Sequence, residues 1–82
     1  MYKAIVHVTL RKSILDPKGK AAHHALQNLG LTTVEDVRIG KRIELDISAN
    51  SEQEALETAK ASCEQLLANE VMEDYRIEIA PL

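Results

Sequence analysis

Apolar and polar residues alternate with period two over Tyr2–Leu10, where Tyr2, Ala4, Val6, Val8 and Leu10 share one face. Lys3, His7, Thr9 and Arg11 lie on the other, with Ile5 the apolar exception. This alternation predicts a half-buried strand. The same alternation returns around Gly40: Val37 and Ile39 precede it, and Ile43, Leu45 and Ile47 follow. It predicts two strands joined by a glycine-containing turn, Gly40-Lys41-Arg42. A two-residue loop would set Ile39 opposite Arg42. One extra loop or bulge residue sets Ile39 opposite Ile43 and Val37 opposite Leu45, and because side-chain faces agree across a hairpin this register is the expected one. A last strand is predicted over Tyr75–Ile79, with Tyr75, Ile77 and Ile79 on one face and Pro81 ending it.

Between the strands the period lengthens. Asp16-Pro17 is a helix start, an N-cap carboxylate followed by proline where a missing N–H costs nothing. Residues 17–29 then carry Ala22, Ala25, Leu26 and Leu29 as an i, i+3, i+4, i+7 stripe, and Gly30 stands where a C′ glycine ends a helix. Gly19 inside this helix costs roughly 1 kcal/mol of propensity, which close approach of another backbone would explain. Ser51 and Glu54 are spaced as a capping box opening a second helix, whose apolar stripe reads Leu56, Ala59, Cys63, Leu66 and Leu67.

The order strand, helix, strand, strand, helix, strand over residues 1–82 predicts a single α+β domain. Right-handed crossovers make it a βαββαβ ferredoxin-like fold, a four-stranded antiparallel sheet with two helices on one face. Its open face is expected to carry Lys3, His7, Thr9, Arg11, Arg38, Glu44, Asp46, Arg76 and Glu78. Val37, Ile39, Ile43 and Leu45 are expected in the core.

Composition narrows the functional classes. With no Trp, no Phe and two Tyr, the core must come from aliphatic side chains that bury less area each. Small cores of this kind are often completed by oligomerisation. The single Cys63 excludes an intramolecular disulfide and, with no signal-peptide pattern at the N-terminus, fits a reducing cytoplasm. No apolar run approaches the ~20 residues of a membrane span. A net charge of −3 and the lack of outward aromatics on the central strands argue against nucleic acid.

Catalytic chemistry finds little footing. His23 and His24 point about 100° apart on a helix and read as surface residues. His7 has no acidic partner assignable from sequence. Cys63 lies on an apolar stripe, where a thiol is inert. The glycines are isolated, so no phosphate-binding loop exists, and Asp16 competes for the helix-start donors near Lys18-Gly19-Lys20. What is left over is Ile14 and Leu15 in a connector, Ile5 on a polar face, and two edge strands to protect. Such features indicate partner contact, and a small interaction domain without catalytic, cofactor-binding or metal residues is the expectation.

The motifs in order carry a family resemblance: Val8-Thr9-Leu10, Ile14-Leu15-Asp16-Pro17-Lys18-Gly19-Lys20, Leu29-Gly30, Val34-Glu35-Asp36-Val37-Arg38-Ile39-Gly40-Lys41 and Tyr75-Arg76-Ile77-Glu78. Together they resemble PurS, the small subunit of phosphoribosylformylglycinamidine synthase (FGAM synthase). The resemblance implies a noncatalytic subunit of an ATP- and glutamine-dependent C–N ligase of purine (IMP) biosynthesis. It implies a homodimer, in one arrangement a dimer of dimers, that docks a PurQ glutaminase on a PurL synthetase, with ATP and magnesium held by PurL. Ile14, Leu15, Asp16, Lys18, Arg38, Gly40 and Lys41 are the expected partner contacts, with Arg38 and Lys41 foremost. Two other readings stay open from the residues: a regulatory dimeric module binding a small metabolite, and a small stand-alone enzyme.

Overall fold

The structure is a computed structural model describing residues 1–82. Its elements are β1 (Tyr2–Leu10), α1 (Pro17–Asn28), β2 (Lys41–Ile47), α2 (Glu52–Ser62), a π-helical turn continuing α2 (Cys63–Leu67), and β3 (Glu73–Pro81). The strands form one sheet in the order β2-β1-β3, antiparallel at both pairings. β1 is central. Its alternation places Ala4, Val6 and Val8 inward, at most 1% exposed. The register aligns Ile79, Ile77 and Tyr75 with them on one side and Leu45, Ile43 and Lys41 on the other.

α2 covers this inner face. Ser51 Oγ accepts the Glu54 amide at 3.1 Å, Glu52 and Glu54 sit in the first turn, and Lys60 sits in the last, so cap and macrodipole agree. Ala55 and Ala59 are fully buried against Ala4 and Ile47. Small side chains there let helix and sheet approach closely. Further along, Cys63 packs with Val6 and Val8 and is bordered by Ile43, Leu67 and Tyr75.

The expected stripe of α2 is displaced. Leu66 is 83% exposed, while Leu67 is half-buried. The π turn adds one residue to the helical repeat and rotates the phase, so of the two leucines expected on the stripe Leu67 stays inward and Leu66 turns outward.

Three strands are present where four were expected. Residues 34–40 form no strand, and β2 bonds to β1 instead. The turn that a tight hairpin requires is missing: such loops need a residue at positive φ, and Gly30 alone has one. Gly40 serves another purpose. A Cβ there would overlap the Val8 carbonyl oxygen and lie 2.6 Å from Thr9 Cγ2, so glycine lets the chain rejoin the sheet flush against β1. Val37 is therefore only half-buried and Ile39 is 44% exposed, outside the core assigned to them. Ile43 and Leu45 do pack against the core.

The two helices also do not share a face. α2 packs on all three strands, whereas α1 packs on neither sheet nor α2 to any comparable extent. α1 and residues 31–40 instead form an arm beyond the end of the sheet. The radius of gyration is 16.1 Å, against about 12 Å for a compact chain of this length, and the extents are 50 × 27 × 14 Å.

Candidate functional site

The base of the arm gathers the residues that the sequence singles out. Asp16 ends the β1–α1 connection and is 5% exposed. Its Oδ1 accepts the Gly19 amide at 3.0 Å, capping α1, and its Oδ2 accepts the Ile39 amide at 2.7 Å. These two amides hold the carboxyl below the usual carboxylate range, with Gly19 the larger cause. Arg38 turns back over the same connection. Its Nη2 lies 2.8 Å from Arg11 O, 3.0 Å from Ile14 O and 3.3 Å from Leu10 O. Gly19 permits the approach of the two segments, since a Cβ there would overlap the Val37 carbonyl oxygen. The close backbone approach suggested by a mid-helix glycine is thus present.

Farther along the arm, His23 Nε2 lies 2.6 Å from Val34 O, and Gln27 Nε2 donates to the same oxygen at 3.0 Å. His23 is a half-buried tie between α1 and the returning chain, unlike the exposed His24. The helix closes with Gly30 at φ 88. Apolar side chains beyond the helix end are uncovered: Leu29 is 75% exposed, and Leu31 and Ile39 are also exposed.

Of the seven expected contact residues, Asp16, Lys18, Gly40 and Lys41 border one cleft of about 430 Å³ between β1, the start of α1 and the returning chain. Lys18 is exposed, and Lys41 Nζ stands 3.8 Å from Glu73 on the cleft rim. Leu15 is exposed, and Ile14, half-buried, accepts from Arg38 through its carbonyl oxygen. The structure brings all seven to the arm base. It gives Asp16 and Arg38 intramolecular partners, so neither is a free handle.

The open face of the sheet holds a second set of charges. Lys3 reaches Glu44 at 3.4 Å and Asp46 at 3.2 Å, Arg42 reaches Glu44 at 3.2 Å, and Arg76 reaches Glu78 at 3.5 Å. His7 Nε2 donates to Glu78 Oε2 at 2.6 Å, and this bond lowers the Glu78 carboxyl. Glu78 is the acidic partner that sequence reasoning could not assign to His7. Only the register, which sets Ile5 against Glu78 and His7 against Arg76, makes them diagonal neighbours. These pairs are exposed, and each contributes little to stability.

No three His, Cys, Asp or Glu side chains group in a way that could hold a metal ion. No helix is long and apolar enough to cross a membrane. Cys63 is fully buried, and burial pushes its thiol up, with the nearby Glu64 charge adding to the effect. A thiol reagent such as Ellman's reagent is expected to leave the folded protein unmodified and to titrate Cys63 fully in denaturant. Rapid labelling under native conditions would contradict the buried position.

Residues 3–81 match the PurS family, described as phosphoribosylformylglycinamidine (FGAM) synthase. The PurS subunit of FGAM synthase from Bacillus subtilis strain 168 is 49% identical over 79 residues, covering 96% of this chain and 93% of its own. Among solved structures, PurS of Methanocaldococcus jannaschii, one of the subunits of formylglycinamide ribonucleotide amidotransferase in the purine biosynthetic pathway, superposes with a TM-score of 0.91. It is 36% identical and covers 100% of this chain and 99% of its own. A chain in the structure of PurLQS from Thermotoga maritima superposes with a TM-score of 0.89 at 32% identity, with 96% of each chain covered. With its three-stranded sheet, its arm and the motifs at the arm base, this chain belongs to the PurS family, the small subunits of the ligase phosphoribosylformylglycinamidine synthase.

Proposed function

We propose that this chain, as a single PurS-like domain, is a noncatalytic, homodimeric assembly subunit that bridges a PurL synthetase and a PurQ glutaminase in the cytoplasm. The arm is the observation that carries the reading. A helix 12 residues long, held only by its own returning chain, leaves Leu15, Leu29, Leu31 and Ile39 exposed around it. Water does not favour such a surface, and a second copy, or a partner, relieves the exposure. The sheet points the same way. Its core has no fully buried side chain larger than Val6, Val8 and Cys63, a modest apolar content for a free-standing domain. The superposition on a chain of the Thermotoga PurLQS structure supports PurL and PurQ as the partners.

The chemistry explains why such a part is required. Glutamine hydrolysis releases ammonia, which is lost by protonation and diffusion once it reaches bulk water, so the two active sites must be coupled and closed off. A rigid wedge accomplishes this by geometry. ATP and magnesium then act on the PurL side, and this subunit contributes position alone.

Deleting the gene from a cell with no fused form of the enzyme is expected to create a purine requirement. The tagged protein is expected to retain PurL and PurQ when glutamine and magnesium-ADP are present. Growth of the deletion strain without purines overturns the proposal.

A further inference from the structure

α1 reaches out from the sheet without packing on it, yet the arm has one definite direction, and something at its base must set it. Two covalent crossings, the 11–16 connection and residues 38–40, leave many angles open, since loop segments of this length are soft. Hydrogen bonds at the base close that freedom. The Asp16 carboxylate joins the first turn of α1, through Gly19, to the point where the chain rejoins the sheet, through Ile39. The Arg38 guanidinium joins that same returning segment to the end of β1, at Leu10, and to the turn after it, at Arg11 and Ile14. Every segment that enters or leaves the arm is thereby tied to another.

We propose that Asp16 and Arg38 are positioning residues, a clasp that sets the angle between arm and sheet and so the geometry in which the subunit meets the rest of the enzyme. The choice of residue types fits. Asparagine is as good an N-cap as aspartate, so capping alone does not require a carboxylate. Serving two amides from two oxygens does, because an asparagine side chain offers one acceptor oxygen and puts an NH₂ in place of the other. The depressed Asp16 carboxyl agrees with a group held ionised between two donors. Arg38 likewise sets its Nη2 nitrogen, with two N–H donors, among three backbone carbonyls, an arrangement that core packing does not call for. The proposal rests on the assembly role above.

Asp16→Asn and Arg38→Met, made in the full chain, separate clasp from cap. Circular dichroism of Asp16→Asn is expected to show α1 intact, since Gly19 keeps its acceptor. Hydrogen exchange at the Ile39 amide is expected to rise roughly tenfold or more, with β1 and α2 unaffected. In the complex with PurL and PurQ, the concentration of either variant giving half-maximal glutamine-dependent synthesis is expected to rise roughly tenfold while the plateau rate is kept, the signature of lost preorganisation. Ile39 exchange unchanged in both variants overturns the clasp. So does a loosened arm with an unshifted half-maximal concentration, which makes the contacts local structure only. Should the unmodified chain fail to support synthesis at all, the assembly role falls, and the exchange measurement still decides whether the clasp holds the arm.

Discussion

Replacing Gly19 by alanine is expected to lower the melting temperature by about 10–20 °C, although alanine is the better helix former. In an open helix the change would stabilise by roughly 1 kcal/mol. Here the new Cβ would overlap the backbone oxygen of Val37 and lie 2.8 Å from Asp16 Oδ2. A backbone atom cannot rotate away as a side-chain tip can, so α1 and residues 37–39 must separate. Overpacking of this kind costs about 2–3 kcal/mol, which the size of the chain converts to the stated shift. Hydrogen exchange should place the loss first in α1 and in residues 34–39. A Gly19→Ala protein as stable as the parent, or more stable, would show that the two segments are not in contact.

The second large effect belongs to α2. Ala59→Leu is expected to destabilise by about 3 kcal/mol in urea unfolding, near the upper end for added core volume. Ala59 is fully buried beside Ala4 and Ala55, and the close approach of helix and sheet depends on these three small side chains. Leu56, one turn earlier and only half-buried, serves as the control. Leu56→Met, which nearly conserves volume, is expected to change stability by less than about 1.5 kcal/mol. Equal effects at the two positions would mean that α2 sits on the sheet less tightly than the burial shows.

The strands and helices that the residues foretell are those whose pattern is settled by a single burying face. β1 is the clearest case: Ala4, Val6 and Val8 alternate because one helix covers one side of the sheet, and each is buried as expected. The starts of both helices were equally legible, because Asp16-Pro17 and the Ser51–Glu54 box are local chemistry. The fourth strand failed for a non-local reason. Val37 and Ile39 alternate like strand residues, but the Ile39 amide is taken by Asp16 and Arg38 is drawn to the β1–α1 turn. No pattern within residues 34–47 reveals that competition, since its other half lies more than 20 residues earlier.

The residues singled out as contacts were legible as a group in space, and the structure shows what holds them there. Ile14, Leu15, Asp16, Lys18, Arg38, Gly40 and Lys41 do converge. Arg38, together with Lys41, stood out because core packing gave no reason for it, whereas Gly40 was assigned to a turn. The structure gives them internal reasons: one arginine on three carbonyls, and one glycine against the Val8 carbonyl. His7 and Glu78 were both assigned to the open face, and only strand register could pair them. The phase of α2 beyond Cys63 was hidden for a different reason, since a π turn leaves no mark in apolar spacing.

The register that sets Tyr2 against Pro81 also governs how the protein emerges from the ribosome. β1 is synthesised before both its neighbours and stands in the middle of the sheet, and its second neighbour, residues 73–81, follows α2. Until then one edge of β1 lacks its partner, the condition in which nascent strands associate with the wrong chain. The arm is on a different schedule, because the ties at its base run between residues 10 and 39. Both ends of those ties are made before β2 and β3. The residues of the arm are therefore all present ahead of the completed sheet, and a ribosome stalled before β3 leaves one edge of β1 open.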